Sequence, residues 1–346
     1  MADDRLRVAL AGYGYWGPHL ARNLEQMSSV DLVAVCDPAP DRLAASRGLY
    51  TTARRVERMD EVLSDPAVDA VVIATPPQSH FEWTLAALEA GKHVMVEKPL
   101  ASTVAECDVL AEAALRVDRT LMVGHTFIYN AAVRWLRDYI DKGSLGSIVY
   151  AYSQRLNLGQ VRSDVNAIWS LAPHDISILL FLFGEMPNAV TANGHAWVRP
   201  DLIDVGFILL GFPSGATAHI HVSWLDPRKV RALTVVGSDT MVVYDDMSPD
   251  ARIQVYDRGI DRFSPGAVPT PATGGLGEHQ AILRSGDLHV PKIDYQEPLR
   301  SELDEFVAAI RERRPPATSV EDGRAVVQVL EAVDRSLTSG GARVEV

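Results

Sequence analysis

The sequence predicts an α/β domain with a doubly wound parallel sheet, followed by an α+β domain on an open, mostly antiparallel sheet. Three observations predict it. Short apolar runs alternate with amphipathic segments from Arg5 to Gly124, a glycine-rich turn joins the first run to the first helix, and the pattern beyond residue 142 changes to strict alternation. A length of 346 residues accommodates two cores of roughly 150 residues each. Residues 1–124 are assigned to the first domain and 125–346 to the second.

The first-domain strands read LRVALAG (6–12), VDLVAVC (30–36), VDAVVIAT (68–75), HVMVE (93–97) and TLMVGH (120–125). Several are apolar throughout, as strands covered on both faces must be. Helix ends are readable between them. Ser79 to Glu82 and Thr103 to Glu106 have capping-box spacing, and Gly91 follows FEWTLAALEA where a left-handed cap belongs. A connecting helix is expected near 131–142, then alternating strands at 147–155, 204–212 and 216–224. One helix, around 173–183, interrupts them, and two more, 301–314 and 321–337, close the chain. The Pro- and Gly-rich segment 264–277 reads as a mobile surface loop.

Charge and cysteine content narrow the function classes. Lys plus Arg number 33 against 45 Asp plus Glu, a net charge of −12 that repels phosphate backbones and argues against a nucleic-acid partner. Cys36 and Cys107 lie in apolar runs, as buried inert thiols of a reducing compartment do. The most apolar stretch, 176–184, is shorter than a membrane span, and MADDRLRVALAGYG lacks the regions of a signal peptide. A soluble cytoplasmic protein, with no membrane association, is expected.

The strongest chemical signal is Gly12-Tyr13-Gly14-Tyr15-Trp16-Gly17, set between a strand and a helix. The first glycine permits a tight turn, the second a close backbone approach to a pyrophosphate, and the third close packing of helix on strand. The helix N-terminus adds amide hydrogens and a positive dipole end. Asp37 ends the second strand 25 residues after Gly12, where a carboxylate can accept hydrogen bonds from a ribose diol and repel a 2′-phosphate. NAD is therefore expected. Arg42, five residues on, keeps NADP as the alternative, and Asp37 as a cap for the following helix is the structural alternative.

Two further segments end strands at the carboxyl edge of the parallel sheet, where ligands of such folds bind: Thr75-Pro76-Pro77-Gln78-Ser79-His80 and Glu97-Lys98-Pro99. Lys98 directly follows an apolar strand, so its ammonium is expected in a partly desolvated cleft that lowers its pKa. His125, Tyr129 and Asn130 follow the last parallel strand and belong near this cleft or to its packing. His219 and His221 share one strand face without a Cys or close acid beside them, so no metal site is expected.

The combination AGYGYWG, AVVIATPPQSH and AGKHVMVEKPLA, in this order and spacing, resembles the glucose-fructose oxidoreductase, inositol dehydrogenase and rhizopine catabolism (Gfo/Idh/MocA) superfamily over nearly the whole chain. The resemblance implies an N-terminal Rossmann domain and a homodimer or homotetramer paired through the C-terminal sheet. It also implies pyridine-nucleotide-dependent chemistry on hydroxyl or keto groups of sugars, nucleotide sugars or cyclitols. Carried over, Lys98 is the active-site lysine, with a cis bond to Pro99, and His174 is the proton carrier. The family pattern D-x-G-x-H-x-x-D is broken here by Ser170, Ala172 and Ser177.

The cofactor is assigned to Gly12, Gly14, Tyr15, Trp16, Gly17, Asp37, Thr75, Pro76, His80 and Glu97. The substrate is assigned to Arg155, Asn157, Arg162, Asn166 and Asp175, a polar concentration suited to a phosphorylated or polyhydroxylated ligand. In a helix Asp175 points about 100° from His174 and does not replace the missing aspartate. WSLAPHDISILL, VSWLDPRKVR and VVGSDTMVVYDD resemble a branch associated with sugar-nucleotide pathways. The expected function is NAD(H)-dependent hydride transfer at a secondary hydroxyl or keto group of a nucleotide-linked sugar. A free cyclitol or monosaccharide dehydrogenase is one alternative. A non-catalytic NAD and metabolite sensor is another, which Ser170 favours and the retained Lys98 and His174 oppose.

Overall fold

The apolar runs of the N-terminal half pair as strands of one parallel sheet in the computed structural model, which describes residues 5–50, 52–159, 162, 164–257, 259–261, 282–284 and 286–346. Its elements are β1 (Leu6–Ala11), α1 (Gly17–Glu25), β2 (Val30–Cys36), α2 (Pro40–Ala45), β3 (Arg54–Val56), α3 (Met59–Leu63), β4 (Ala70–Ile73), α4 (His80–Glu89), β5 (His93–Glu97), α5 (Val104–Val117) and β6 (Leu121–Gly124). The sheet runs β3-β2-β1-β4-β5-β6. Ala70–Ile73 and Val94–Val96 are fully buried, as the apolar pattern requires. The order reverses between β1 and β4, which opens a crevice at their carboxyl ends. β3 was not legible: its sequence, RRV, is short and carries two arginines.

Thr103 forms the expected capping box with Glu106, and Gly91 takes φ +72°. Ser79 does not. A 3₁₀ turn at Pro77–Ser79 precedes α4, so Ser79 already has helical backbone angles and its hydroxyl turns back to Thr75 Oγ1 and Pro76 O, each at 2.8 Å. Two adjacent prolines tighten the chain before the cap position is reached.

The second domain contains α6 (Ala131–Asp141), β7 (Ile148–Leu156), α7 (Ala167–Phe183), β8 (Ala189–His195), β9 (Val205–Gly211), β10 (Thr217–Ser223), β11 (Val230–Gly237), β12 (Met241–Asp245), β13 (Ile253–Tyr256), β14 (Gly259–Asp261), β15 (Ile282–Arg284), β16 (Leu288–His289), α8 (Pro298–Glu312), α9 (Val320–Thr338) and β17 (Val344–Glu345). Nine strands form one sheet in the order β16-β13-β12-β11-β7-β10-β9-β8-β17, in which only β7 and β10 pair in parallel. β14 and β15 pair with each other. The segment 264–277 lies outside the described residues.

α7 starts at Ala167, six residues before the expected Pro173. Asn166 caps it by accepting the Trp169 amide at 2.9 Å. Pro173 removes one helical hydrogen bond, and burial of Ile168, Ala172, Ile176 and Leu179 against the inner face of the sheet offsets that loss.

The last two helices cross back to the first domain. α8 packs on α1 and the 126–129 turn, α9 packs on α5 and β6, and the Thr318 hydroxyl donates to the Val123 carbonyl at 2.7 Å. No helix among the described residues is long and apolar enough to cross a membrane.

Candidate active site

The three glycines of the first turn have different physical causes. Gly12 holds φ +96°, and a Cβ there would stand 2.4 Å from the Ala74 carbonyl oxygen. A Cβ on Gly17 would stand 2.4 Å from the Gly12 carbonyl oxygen. A Cβ on Gly14 would meet only the Arg42 guanidinium, at 3.8 Å, so the protein's own packing leaves this position open. α1 begins at Gly17 without a side-chain cap, so no capping side chain claims its first amides. Open space at Gly14 beside such a helix end fits a dinucleotide pyrophosphate.

Asp37 is 2% exposed. Its Oδ2 accepts the Tyr13 amide at 2.8 Å, its Oδ1 accepts the Ala39 amide at 2.9 Å, and Arg42 Nη1 stands 3.5 Å away. The carboxylate therefore fixes the glycine-rich turn to the end of β2 and also serves the start of α2. Tyr15 is exposed, Pro76 lies on the surface, and Trp16 packs against His19 with its indole nitrogen enclosed. His80 braces two loops, with Nδ1 2.7 Å from the Pro99 carbonyl and Nε2 2.9 Å from the Thr75 carbonyl.

Glu97 ends β5 in register with Gly124 of β6, which places Lys98 and His125 at neighbouring strand ends. The Lys98–Pro99 bond is cis. Lys98 Nζ donates to the Ser170 carbonyl at 3.0 Å, across to α7. Burial lowers the Lys98 pKa to about 8 against the opposing pull of Glu97. Burial raises Glu97 as well, and the Lys98 ammonium pulls it back toward the ionised form.

His174 lies four residues after Ser170, on the same helix face. Its ring meets the edge of Phe127 at 5.1 Å, and the Arg155 guanidinium lies 4.4 Å from the centroid of that Phe127 ring. Burial, then the charges of Lys98 and Arg155, hold the His174 pKa well below its ordinary value, so the ring is neutral.

Arg155 and Asp175 come together chiefly with each other. Arg155 Nε and Nη2 donate to Asp175 at 2.7 and 3.3 Å, and the Ser153 hydroxyl adds a bond of 2.5 Å. This buried pair ties α7 to β7. Arg162 is held by Asp164 through two bonds of 2.9 and 2.5 Å, and Gln78 donates to the Asp164 carbonyl at 2.5 Å, joining this segment to the Thr75–His80 turn. Asn157 is exposed, and Asn166 is occupied as the cap of α7.

Glu302 of α8 went unread in the sequence, as did the positions of Phe127 and Thr126. The Glu302 carboxyl is fully buried and accepts the Thr126 hydroxyl at 2.8 Å. The available signal was a carboxyl on the same helix face as Leu299, Leu303 and Phe306.

Known proteins resemble this chain over both halves. The model of an oxidoreductase family with an NAD-binding Rossmann fold matches residues 6–125, and that of the GFO/IDH/MocA C-terminal domain matches residues 133–243. The chain is 25% identical over 342 residues to myo-inositol 2-dehydrogenase of Thermotoga maritima, covering 96% of each. It is 27% identical over 337 residues to UDP-N-acetylglucosamine 3-dehydrogenase of Acidithiobacillus ferrooxidans, covering 96% of this chain and 98% of that protein. The solved structure of GenD2 from gentamicin A biosynthesis, in complex with NAD, superposes with a TM-score of 0.81 at 26% identity, covering 99% of this chain and 97% of that one. Two matched domains and full-length relatives place the chain in the GFO/IDH/MocA family of NAD-binding oxidoreductases.

Proposed function

We propose that the protein is an NAD(H)-dependent oxidoreductase acting at a secondary hydroxyl or keto group of a sugar, specifically a nucleotide-linked one. The convergence of the Lys98 ammonium and the neutral His174 ring on one face of α7, with the open Gly14 turn at the same carboxyl edge of the parallel sheet, carries this reading. The bound nicotinamide supplies or accepts the hydride. Lys98 orients and polarises the reacting oxygen, and His174 takes the hydroxyl proton on oxidation and returns it on reduction. The Asp37 carboxylate beside the turn favours NAD, while Arg42 at 3.5 Å offers a cation to a 2′-phosphate.

A nucleotide-linked substrate agrees with the UDP-sugar named for the Acidithiobacillus relative. A free cyclitol or monosaccharide is the second reading. It is favoured by the pairing of Arg155 with Asp175 and of Arg162 with Asp164, which leaves fewer unneutralised cations for a diphosphate. Titrating NAD+ and NADP+ with UDP-N-acetyl sugars and with inositols, while following reduced nicotinamide absorbance, tests both. Turnover with the UDP-sugars alone supports the first reading, turnover with inositols alone supports the second, and turnover with neither overturns both. The same reading includes a homodimer or homotetramer paired through the outer face of the nine-stranded sheet, where Tyr150, Tyr152 and Leu209 are exposed.

A further inference from the structure

Two enclosed carboxyl groups, Glu97 beside the lysine and Glu302 beyond it on α8, have no part in the proposed proton and hydride steps. Glu302 is 0% exposed, with Oε2 bonded to Thr126 and Oε1 enclosed without a partner. Glu97 likewise has an enclosed Oε1 without a partner. Both border one short stretch of chain, residues 124–126. The Glu97 carboxyl carbon lies 3.2 Å from where a Gly124 Cβ would stand, and Glu302 is bonded two residues further on, at Thr126.

A buried carboxylate without a partner is costly, and two that interact in a low dielectric resist joint ionisation. The neighbouring groups leave few ways to neutralise them. Trp16, the residue before α1, lies beside Glu97, and Lys98 is its cation. His125 stands between Gly124 and Thr126 with both ring nitrogens enclosed and unpartnered, and burial drives its pKa to about 3, so it is neutral. His174 is neutral as well, and Arg155 and Arg162 act on Lys98 rather than on the carboxyls. Among the described residues no cation acts on Glu302; burial, then the charge of Glu97, raises it well above the usual carboxylate range.

We propose that Glu97 and Glu302 hold one proton between them at neutral pH, with Glu302 carrying it and Glu97 remaining the anion that faces Lys98. Glu302 is then a positioning residue. Its neutral acid removes a second negative charge from the pocket, and Glu97 is left as the carboxylate that holds the proton on the lysine against burial. This rests on the reading of Lys98 as the active-site lysine, but its test needs no substrate, so its failure is distinguishable from an absence of turnover.

The test is infrared spectroscopy of the NAD-loaded protein at pH 7, combined with ¹⁵N NMR of lysine Nζ, in which Lys98→Met assigns the Lys98 resonance. Wild-type protein is expected to show a protonated carboxylic acid band that Glu302→Gln removes and Glu97→Gln retains. Glu302→Gln, neutral like the acid it replaces, is expected to leave the Lys98 titration in place. Glu97→Gln is expected to lower it by about one pH unit or more. Absence of the acid band in the wild type overturns the proposal without any variant. An equal Lys98 shift in Glu302→Gln and Glu97→Gln overturns it too, because Glu302 would then be an anion.

Discussion

Lys98 Nζ donates a 3.0 Å hydrogen bond to the carbonyl of Ser170, one helical turn before His174. The lysine comes from the end of a parallel strand and the histidine from a helix of the other domain, so their meeting depends on how the domains pack. Ser170 stands where the family pattern has an aspartate, and here it holds the lysine through its backbone.

Replacing Lys98 with Met removes the ammonium while keeping much of the side-chain volume. Turnover is expected to fall by about 10²-fold to 10³-fold, the range for loss of one hydrogen-bond donor that stabilises charge on the reacting oxygen. NADH affinity, read by fluorescence titration, is expected to stay within about twofold of wild type, since the open Gly14 turn is untouched. Undiminished turnover would remove Lys98 from the mechanism.

The pH profile follows from the sign of the lysine shift. Burial lowers Lys98 to about 8, and the proposed mechanism uses its cationic form, so kcat is expected to hold below that value and decline as pH rises through it. His174, held neutral, adds no decline at its ordinary 6.5. A profile with no alkaline decline before pH 10 would contradict this.

The glycines separate stability from binding. Gly12→Ala forces a side chain into φ +96° and against the Ala74 carbonyl at 2.4 Å, and is expected to lower unfolding free energy by about 1 to 3 kcal/mol. Gly14→Ala meets nothing nearer than 3.8 Å, and its stability is expected within about 0.5 kcal/mol of wild type while cofactor affinity falls. Denaturant melts and NADH titrations of both variants check the contrast.

Arg155→Met leaves Asp175 buried without its cation. Breaking one side of such a pair is expected to cost about 3 to 5 kcal/mol, with Asp175→Asn costing less because the amide still bonds Ser153 and Arg155. A thermal melt that ranks the two variants the other way would make the unpaired Arg155 cation, and not the unpaired Asp175 carboxylate, the costlier group to leave buried.

Leu209→Glu and Tyr152→Glu put charges on the exposed face of the nine-stranded sheet, next to Tyr150. Light scattering is expected to show conversion of the oligomer to monomer with the fold intact by circular dichroism. An unchanged oligomer would place the interface elsewhere.

The apolar strands, the glycine-rich turn and the position of Lys98 were legible because each depends on local pattern: continuous burial, positive φ, and a charge directly after a strand. The same locality explains the misreadings. Ser79 had capping spacing, but the prolines before it set its backbone, and Pro173 read as a helix start while Asn166 supplied the cap. RRV carried no apolar signal, yet its backbone pairs with β2.

By itself the sequence determined the two-domain class, the dinucleotide turn and the Lys98 and His174 pair as family-matched candidates. Tertiary structure alone decided that Arg155 and Asp175 neutralise each other, that Asp37 anchors the glycine-rich turn through the Tyr13 amide, and that Glu302 comes back from α8 to the neighbourhood of Glu97. Charge pairing and desolvation act over ångströms between residues far apart in the chain, here 20 positions for Arg155 and Asp175 and 176 for Thr126 and Glu302. Only folding sets those distances.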